Sequence, residues 1–345
     1  MPDTGKKLLC GMDPDEIKSL ANCDISAAKV ITNCLYKKRI ADITRITGIS
    51  KQLKEYLSEV AYTGLLNPVS CQKSSDGSIK YLFRNNNPLE YETVFLPGDR
   101  RNTVCVSTQA GCRMGCPFCV SGKYGFRGNL SAGDIINQVI SLPESGILTH
   151  VVFMGMGEPM DNLDNVIKAC HILTAEWGRA ISRRNITVST VGITSGIKRF
   201  LRFSDCNLVF SLFSPFEEER RNVIPAERKY PAREIINLMK SYPLQKKRRL
   251  SIAYVMIDGI NDSDKHLEGL KVLLRNSMIR VNLLKYHQHP YDDRAPSTPE
   301  RLQYFKHELV TSGVSASIRR SRGEDISAAC GLLAAGLRDD LMNSD

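Results

Sequence analysis

Three closely spaced cysteines restrict this chain more than any other feature of its sequence. Cys112, Cys116 and Cys119 follow one another as C-x3-C-x2-C in a short segment. Three thiolates from one loop can hold three irons of a cubane [4Fe–4S] cluster and leave the fourth iron without a protein ligand. An open iron can bind and activate a small molecule, so the spacing indicates chemistry in addition to architecture.

A structural zinc site is the main alternative for these cysteines, because zinc often occupies short cysteine clusters in intracellular proteins. Such sites usually combine two C-x2-C pairs, and the sequence has no second pair. Cys105 is a possible fourth ligand, although a strand is expected between it and the loop. Disulfides fit less well, because the 11 cysteines are an odd number and we find neither a signal peptide nor a membrane-spanning apolar run. The spacing favours the cluster and leaves zinc open.

The region from residue 100 to residue 345 alternates between strand and helix patterns, which predicts an α/β fold with a parallel sheet and crossover helices. Six such units fit a partial (β/α)6 barrel, in which functional residues lie at the C-terminal ends of the strands. The cysteine loop follows the first predicted strand, as that rule requires. Strands are predicted at residues 103–107, 150–154, 185–189, 208–212, 250–256 and 280–284, and helices at 131–142, 162–177, 232–241 and 264–275.

Two smaller segments precede the predicted barrel. Residues 1–63 carry helical patterns, with Asp24 as the expected N-cap of one helix and Leu53 and Leu57 on one face of another. Residues 64–99 alternate as short extended runs between polar turns, which predicts a β-hairpin that links or extends the barrel.

The formal net charge of +10 and the isoelectric point near 9.0 favour a polyanionic partner. Solvated surface charge explains the same balance equally well, and each basic residue is more often a surface residue than a specific contact. The candidate phosphate contacts are Arg100, Arg101, Lys123, Arg127, Lys246, Lys247, Arg248, Arg249, Arg319, Arg320 and Arg322.

The cysteine motif, with Phe118 before its last cysteine, resembles the signature of radical S-adenosylmethionine (SAM) enzymes. The wider text resembles the RlmN/Cfr family of RNA adenine methyltransferases, in the segments CVSTQAGCRMGCPFC, GFRGNLSAGDIINQV, FMGMGEPMDN and RGEDISAACG. The resemblance is strong from about Glu92 to Gly331 and faint before that. It implies a radical SAM barrel, a [4Fe–4S] cluster held by the three cysteines, SAM as cofactor, and a helical RNA-binding module at residues 1–63.

The resemblance also implies which residues contact SAM: Gly157, Glu158, Ser189, Ser211, Leu212, Phe213 and His287. Two of these depart from the family pattern, because relatives usually have His at the position of Phe213 and Asn at that of His287. Phe213 can pack against a ribose or adenine face but cannot donate a hydrogen bond. His287 can replace an amide donor and can titrate near neutral pH. The affinity for SAM is therefore an open question.

Three further residues receive catalytic roles from the resemblance. Cys330, in the C-terminal motif, corresponds to the cysteine that one SAM methylates, and a radical from a second SAM then takes a hydrogen atom from that methyl group. The resulting carbon radical adds to the adenine, and Cys105 removes the ring proton and forms a disulfide with Cys330. Glu92 corresponds to a proposed general base. Covalent catalysis of this kind divides one inaccessible step into feasible ones. External thiols and an electron donor such as flavodoxin would reset the enzyme.

Three functions are compatible with these residues. The first is methylation at C2 of adenine in 23S rRNA, and possibly tRNA, which Pro159 favours because Cfr-type proteins often have Ala there. The second is Cfr-type methylation at C8, which gives ribosomal antibiotic resistance and is favoured by Ser214 and Pro215. The third is an RNA-binding iron–sulfur protein with an impaired SAM site, suggested by Phe213 and His287. We expect a cytoplasmic monomer that does not associate with membranes.

Overall fold

The computed structural model of the protein describes residues 5–243, 248–289 and 292–333. Lys246 and Lys247, two of the predicted phosphate contacts, lie outside the described residues, as do the ends of the first and last predicted segments. No helix in the described ranges is long and apolar enough to cross a bilayer. The elements are β1 Lys7–Leu8, α1 Pro14–Ala21, α2 Ile25–Tyr36, α3 Lys51–Val60, β2 Ala61–Tyr62, β3 Ser70–Lys73, β4 Ile79–Arg84, β5 Glu90–Leu96, β6 Thr103–Cys105, β7 Gln109–Ala110, α4 Val120–Tyr124, β8 Gly128–Asn129, α5 Ala132–Ile140, β9 His150–Phe153, α6 Leu163–Thr174, β10 Ile186–Thr190, α7 Thr194–Phe203, β11 Asn207–Ser211, α8 Glu217–Val223, α9 Ala232–Ser241, β12 Leu250–Met256, α10 Asp264–Leu274, β13 Arg280–Lys285, α11 Pro299–Thr311 and β14 Ala316–Ile318.

One ten-stranded sheet organises the described part of the chain, in the order β14-β13-β12-β11-β10-β9-β6-β5-β4-β3. The seven strands β6 and β9 to β14 are parallel, with at least one helix in each crossover. The antiparallel strands β5, β4 and β3 extend the sheet beyond β6. The α/β fold class is therefore confirmed. The structure adds a seventh parallel strand, β14, whose three residues are too few to give a periodic signal.

The two faces of the parallel strands differ in what they contact. Val151, Phe153, Ile186 and Val188 belong to the main apolar core, which the helices complete. Because side chains alternate along a strand, the residues between them face the opposite side, here called the barrel interior. Arg319 follows β14 and Arg101 precedes β6, and the two guanidinium groups interact electrostatically. The first and last parallel strands therefore approach each other, as in an open barrel.

The N-terminal helices dock on the barrel through a close backbone contact. Asp24 accepts a hydrogen bond from the backbone N–H of Ala27 and caps α2 as the sequence predicts. A Cβ atom at Gly133, in the first turn of α5, would lie 2.4 Å from the carbonyl oxygen of Cys10. A Cβ atom at Gly11 would lie 2.6 Å from the backbone nitrogen of Gly133. Only glycine allows the two segments to approach this closely.

We expect Gly133→Ala to lower the free energy of unfolding by about 1–3 kcal/mol, because the added methyl group forces α5 and Cys10 apart. Gly146→Ala is the matched control, since no atom lies within 4 Å of its Cβ position, and it should change stability by less than about 0.5 kcal/mol. Urea unfolding followed by circular dichroism measures both. Equal stabilities of the two variants would contradict the proposed contact.

Candidate active site

The three cysteines of the C-x3-C-x2-C motif lie in the loop between β7 and α4, at the C-terminal ends of the parallel strands. Cys116 is buried, whereas Cys112 and Cys119 are half-buried. Burial raises the pKa of each thiol, to about 12 for Cys112. The charges of the other two thiols raise the pKa of Cys116 further, so the three sulfurs lie within electrostatic reach of one another. Metal ligation would lower these pKa values by stabilising the thiolates.

The arrangement of donor atoms distinguishes between the two metal sites considered above. No three His, Cys, Asp or Glu side chains in the described ranges are grouped as ligands of one metal ion. A zinc ion requires all of its ligands within about 2.0–2.3 Å, whereas the thiolates of a cubane bind separate irons. Cys105, the possible fourth zinc ligand, lies beside Cys330 instead. The residues present therefore fit an iron–sulfur cluster better than zinc.

A second apolar cluster surrounds the cysteine loop. Phe118, within the loop, stacks on Phe213 with ring centroids 5.6 Å apart and planes inclined by 6°. Phe213 has a left-handed backbone with φ +67°, and its carbonyl accepts a 2.8 Å hydrogen bond from Asn261 Nδ2. Non-glycine residues held in this conformation concentrate at functional sites. Cys116 is buried in the same cluster, together with Phe213, Ile224, Ile257 and Tyr286.

Glu158 is held just beyond the C-terminal end of β9 by three hydrogen bonds. Its carboxylate accepts from the backbone N–H groups of Met160 (2.9 Å) and Val191 (2.8 Å) and from Thr190 Oγ1 (2.6 Å). Burial nevertheless dominates and raises the pKa of Glu158 to about 7. Gly157 packs so closely that a Cβ atom would lie 2.6 Å from β7. A buried carboxyl group that titrates near neutrality is typical of a ligand-binding site.

A buried arginine that the sequence analysis did not single out joins the ends of two neighbouring strands. Arg220 is fully buried, and desolvation lowers its pKa to about 10. It forms an ion pair with Glu227. Its remaining hydrogen bonds are to the backbone carbonyl groups of Val191, Ser211 and Leu212, at 2.6, 3.2 and 2.7 Å.

Arg220 also acts on the cysteine loop, because its positive charge lowers the pKa of Cys116. The sequence could not identify this role. Arg220 and Arg221 are neighbours in a charged segment, and Arg221 pairs with Glu217 at the surface. A buried arginine stripped of water requires a full set of acceptors, and only the folded chain places those acceptors around Arg220.

The predicted SAM contacts on β10 and β11 separate into two groups. Ser189 and Ser211 lie on adjacent strand ends, with their Oγ atoms 3.5 Å apart and facing the barrel interior. The Leu212 side chain is fully buried in the main apolar core, on the helix side of the sheet. Its carbonyl is occupied by Arg220 and its N–H by Ala253. Leu212 therefore supports the site through its backbone and does not offer a side chain to it.

His287 lies beside the C-terminal loop and not in the cluster around Phe213. Its Nε2 atom is 3.0 Å from Ser321 Oγ, and its Nδ1 atom is 3.7 Å from Glu324. Burial lowers the pKa of His287, so the ring is neutral at pH 7. Tyr286, one residue earlier, packs in the Phe213 cluster instead. The role of His287 as a SAM contact stays a prediction.

The structure brings Cys105 and Cys330 together. Cys105 is the last residue of β6 and is buried, and the pKa of its thiol is raised first by burial and then by Cys330. Cys330 has an exposed surface. Its pKa is raised by desolvation and by Cys119, and lowered by Arg319. Cys330 therefore lies between the cysteine loop and Cys105, within electrostatic reach of both.

The predicted hairpin turn holds the segment that leads to Cys330. Asp325 accepts hydrogen bonds from Ser74 Oγ (2.6 Å) and from the backbone N–H of Ser75 (2.9 Å). In return, the backbone N–H of Gly323 donates to Asp76 at 3.0 Å. Burial opposes the shift, but hydrogen bonds from Ser78, Gly323 and Ser74 lower the pKa of Asp76 to about 2. The Asp76 carboxylate therefore remains ionised across the ordinary pH range.

The start of α4 holds the chain on the other side of Cys330. The backbone N–H of Val120 donates to the carbonyl of Gly331 at 2.8 Å, and Ser121 Oγ donates to the carbonyl of Leu333 at 2.7 Å. Both donors follow Cys119 directly. The loop that carries Cys330 is thus attached to the loop that carries the three cysteines.

Glu92 lies on the same face of the sheet as Cys105, because Val94, two residues further along β5, pairs with Cys105. Its carboxylate is 3.1 Å from Lys80 Nζ, and both side chains are almost fully buried. Lys80 was not predicted as a site residue, since a strand lysine is usually exposed. The role of Glu92 as a general base stays a prediction.

Known proteins resemble this chain along nearly its whole length. Residues 106–269 match the radical SAM superfamily. A probable dual-specificity RNA methyltransferase RlmN of Parabacteroides distasonis is 45% identical over 95% of this chain and 97% of its own length. The dual-specificity RNA methyltransferase RlmN of Halorhodospira halophila is 39% identical over 90% and 88%, respectively. The crystal structure of a radical SAM methyltransferase from Sphaerobacter thermophilus superposes with a TM-score of 0.87 at 35% identity, over 94% of this chain and 98% of that structure.

Proposed function

The chain belongs to the RlmN family of dual-specificity RNA methyltransferases within the radical SAM superfamily, and on this premise we propose that it methylates C2 of an adenosine base in 23S rRNA and in tRNA. The observation that carries the proposal is the placement of Cys330 between Cys105 and the cysteine loop. That arrangement supports the roles of Cys330 as methyl carrier, Cys105 as resolving thiol and the loop cysteines as cluster ligands.

The enzyme uses a [4Fe–4S] cluster and SAM, as radical SAM proteins do. Cys112, Cys116 and Cys119 would hold the cluster, and Glu158 would bind the ammonium group of SAM. When bound, the cluster and SAM together supply a carbon-centred radical that can remove a hydrogen atom from an unactivated methyl group. The remaining proposed contacts are Gly157, Ser189, Ser211, Phe213 and His287, and Tyr286 packs in the cluster that contains Phe213.

Cys330 and Cys105 perform the covalent steps. The Cys330 sulfur takes the methyl group of one SAM by displacement, forming a carbon–sulfur bond as the sulfonium bond breaks. After that methyl group has lost one hydrogen atom and its carbon has bonded to the adenine ring, Cys105 accepts the ring proton, and one electron would return to the cluster. Deprotonated Cys105 then attacks the Cys330 sulfur, so that the disulfide forms as the carbon–sulfur bond breaks and the released carbon takes up a proton to become the methyl group of the base. Because burial raises the pKa of Cys105, its thiol must first lose a proton, and Glu92 is the base we assign to that step.

The remaining parts of the chain and its partners complete the proposal. Residues 1–63 would form the RNA-binding module, residues 64–99 the hairpin extension, and residues 100–345 the barrel with its C-terminal cysteine loop. The net charge of +10 supports an RNA partner. External thiols would reduce the disulfide, and a one-electron donor such as flavodoxin would reduce the cluster. We propose that the protein acts as a cytoplasmic monomer.

Anaerobic reconstitution with iron and sulfide tests this function. The protein would be incubated with SAM, a reductant and unmethylated 23S rRNA or tRNA, and the digested nucleosides would be analysed by mass spectrometry. We expect 2-methyladenosine. Detection of 8-methyladenosine would instead assign the protein to the Cfr type. An intact cluster without SAM cleavage would favour an iron–sulfur protein with an impaired SAM site.

We expect Glu158→Gln to weaken SAM binding by about 10- to 100-fold, since a hydrogen bond between charged groups contributes about 1.5–3 kcal/mol. Because burial raises the pKa of Glu158 to about 7, ionisation destabilises the ligand-free protein as pH rises from the ordinary carboxyl value to about 7. A bound ammonium group reverses that penalty, so wild-type affinity should increase as pH rises through about 7. Calorimetry on the wild type, on Glu158→Gln and on the exposed control Glu234→Gln measures this. A pH-independent wild-type affinity would contradict the assignment.

A further inference from the structure

We propose that RNA enters the barrel at the N-terminal ends of its strands, through a basic cavity that binds the phosphate groups flanking the target adenosine. The inference rests on the proposed function and adds the place where the RNA backbone is held. The cysteine loop and Glu158 lie at the C-terminal ends of the same strands. RNA and SAM would therefore approach Cys330 from opposite sides.

The cavity has a volume of about 540 Å³. Ligand pockets commonly measure about 300–1,000 Å³, so the space suits a single nucleotide. Its lining residues precede or begin the parallel strands β6, β9, β10 and β12. They are Arg101, His150, Arg184, Asn185, Arg248 and Arg249.

The charges of the lining match a phosphate-bearing ligand. Four of the six lining residues are arginines and none is acidic. Within the described ranges, no carboxylate forms an ion pair with Arg101, Arg184 or Arg249. Arg248 has a structural role, because its guanidinium donates to the backbone carbonyl groups of Leu201, Ser204 and Cys206. The other three arginines are available to an anion, and guanidinium groups bind phosphate oxygens in pairs.

Basic residues continue from the cavity towards Cys330. Burial, and then the charges of Arg101, Arg280 and Arg249, lower the pKa of Arg319. Arg319 also interacts with Cys330. Arg280 Nε is buried and has no hydrogen-bond partner in the part of the chain that the structure describes. Like charges that lie close together disfavour the charged state, and a phosphate group bound near them would reduce this repulsion.

The path also agrees with the chemistry of base modification. An enzyme that modifies a base must remove the nucleotide from its stack. The cavity has room for one nucleotide, and its residue Arg101 interacts electrostatically with Arg319, which in turn interacts with Cys330. A free oligophosphate presents the same chemical groups as an RNA backbone, and the experiment below separates the two ligands.

The test compares two double variants that remove the same charge. Arg101→Gln/Arg184→Gln changes two residues that line the cavity, and Arg228→Gln/Arg233→Gln changes two exposed residues that do not line it. Fluorescence anisotropy with a labelled fragment of unmethylated 23S rRNA, without SAM or reductant, gives the affinity at several salt concentrations. We expect the cavity variant to bind more weakly and its salt slope to fall by about 1.4, or about 0.7 for each phosphate contact to single-stranded RNA. The control should keep the wild-type slope.

Equal slopes and affinities for the two double variants would overturn the proposal, provided that thermal unfolding shows both to be folded. Sodium tripolyphosphate serves as the competitor. If tripolyphosphate displaces RNA from the wild type and does so less effectively in the cavity variant, the two ligands share the cavity. If tripolyphosphate binds while RNA stays bound, the cavity is a site for a small anion and the proposal is overturned. Failure of the proposed function gives a different result, namely cavity-dependent RNA binding without any methylated base.

Discussion

Replacement of Cys330 by alanine is expected to abolish methylated RNA while the absorption spectrum of the reconstituted cluster stays unchanged. Cys330 lies beside Cys105 and Cys119 but outside the C-x3-C-x2-C motif. Its loss would therefore remove the proposed methyl carrier and none of the proposed cluster ligands. Two measurements check this result, mass spectrometry of the RNA nucleosides and the intact mass of the protein after incubation with SAM. The wild type should gain one methyl group, and Cys330→Ala should gain none.

Cys71→Ala provides the control, because Cys71 is a free and exposed cysteine on β3. It should methylate RNA at the wild-type rate. Persistent turnover in Cys330→Ala would exclude Cys330 as the methyl carrier. Loss of the cluster spectrum in the same variant would instead assign Cys330 a part in cluster assembly.

Replacement of Cys116 by alanine is expected to prevent cluster assembly and to eliminate both SAM cleavage and RNA methylation. Cys116 is the most deeply buried of the three motif cysteines, and its sulfur is surrounded by apolar side chains. Neither of the other two thiols can replace it, because a cubane with three protein ligands requires one thiolate for each of three irons. Iron analysis after anaerobic reconstitution should fall from about four irons per chain to nearly none.

Cys23→Ala is the corresponding control, because Cys23 is half-buried in the N-terminal segment, between α1 and α2. It should retain the full iron content. If the wild-type protein contains stoichiometric zinc and shows no iron–sulfur spectrum after reconstitution, the three cysteines belong to a structural zinc site. Circular dichroism separates loss of the cluster from loss of the fold.

The main elements of the barrel could be predicted because their sequence patterns are long. The predicted bounds of β12 and α9 agree with the structure residue for residue, and the other predicted strands differ by a few residues at their ends. Helices α4, α7, α8 and α11 of the barrel are not among the predicted helices. Strand β14 and helix α1 are also missed, because β14 is only three residues long and α1 lies in a segment where the pattern delimits no separate helix, although Asp13 and Glu16 form a capping box there.

The site could be predicted only where a residue type has a specific chemistry. The cysteines were recognised by their spacing and by the resemblance. Lys80 and Arg220 were not, because their roles depend on burial next to Glu92 and on three backbone carbonyl groups. Arg100 and Arg101 illustrate the same limit. They are identical neighbours in the sequence, and only the fold places one of them at the cavity.

If the proposed roles hold, the attachment of the Cys330 loop to α4 makes the integrity of the cluster and the exposure of Cys330 interdependent. Val120 and Ser121, which hold Gly331 and Leu333, follow Cys119, the last cysteine of the motif. Oxidative loss of the cluster would loosen that helix start and release the loop, since weakly held segments open first. A molecule that has lost its cluster would no longer transfer methyl groups, and its released loop would be a new cleavage site for proteases. The two hydrogen bonds would thus link loss of the cluster to proteolysis of the protein.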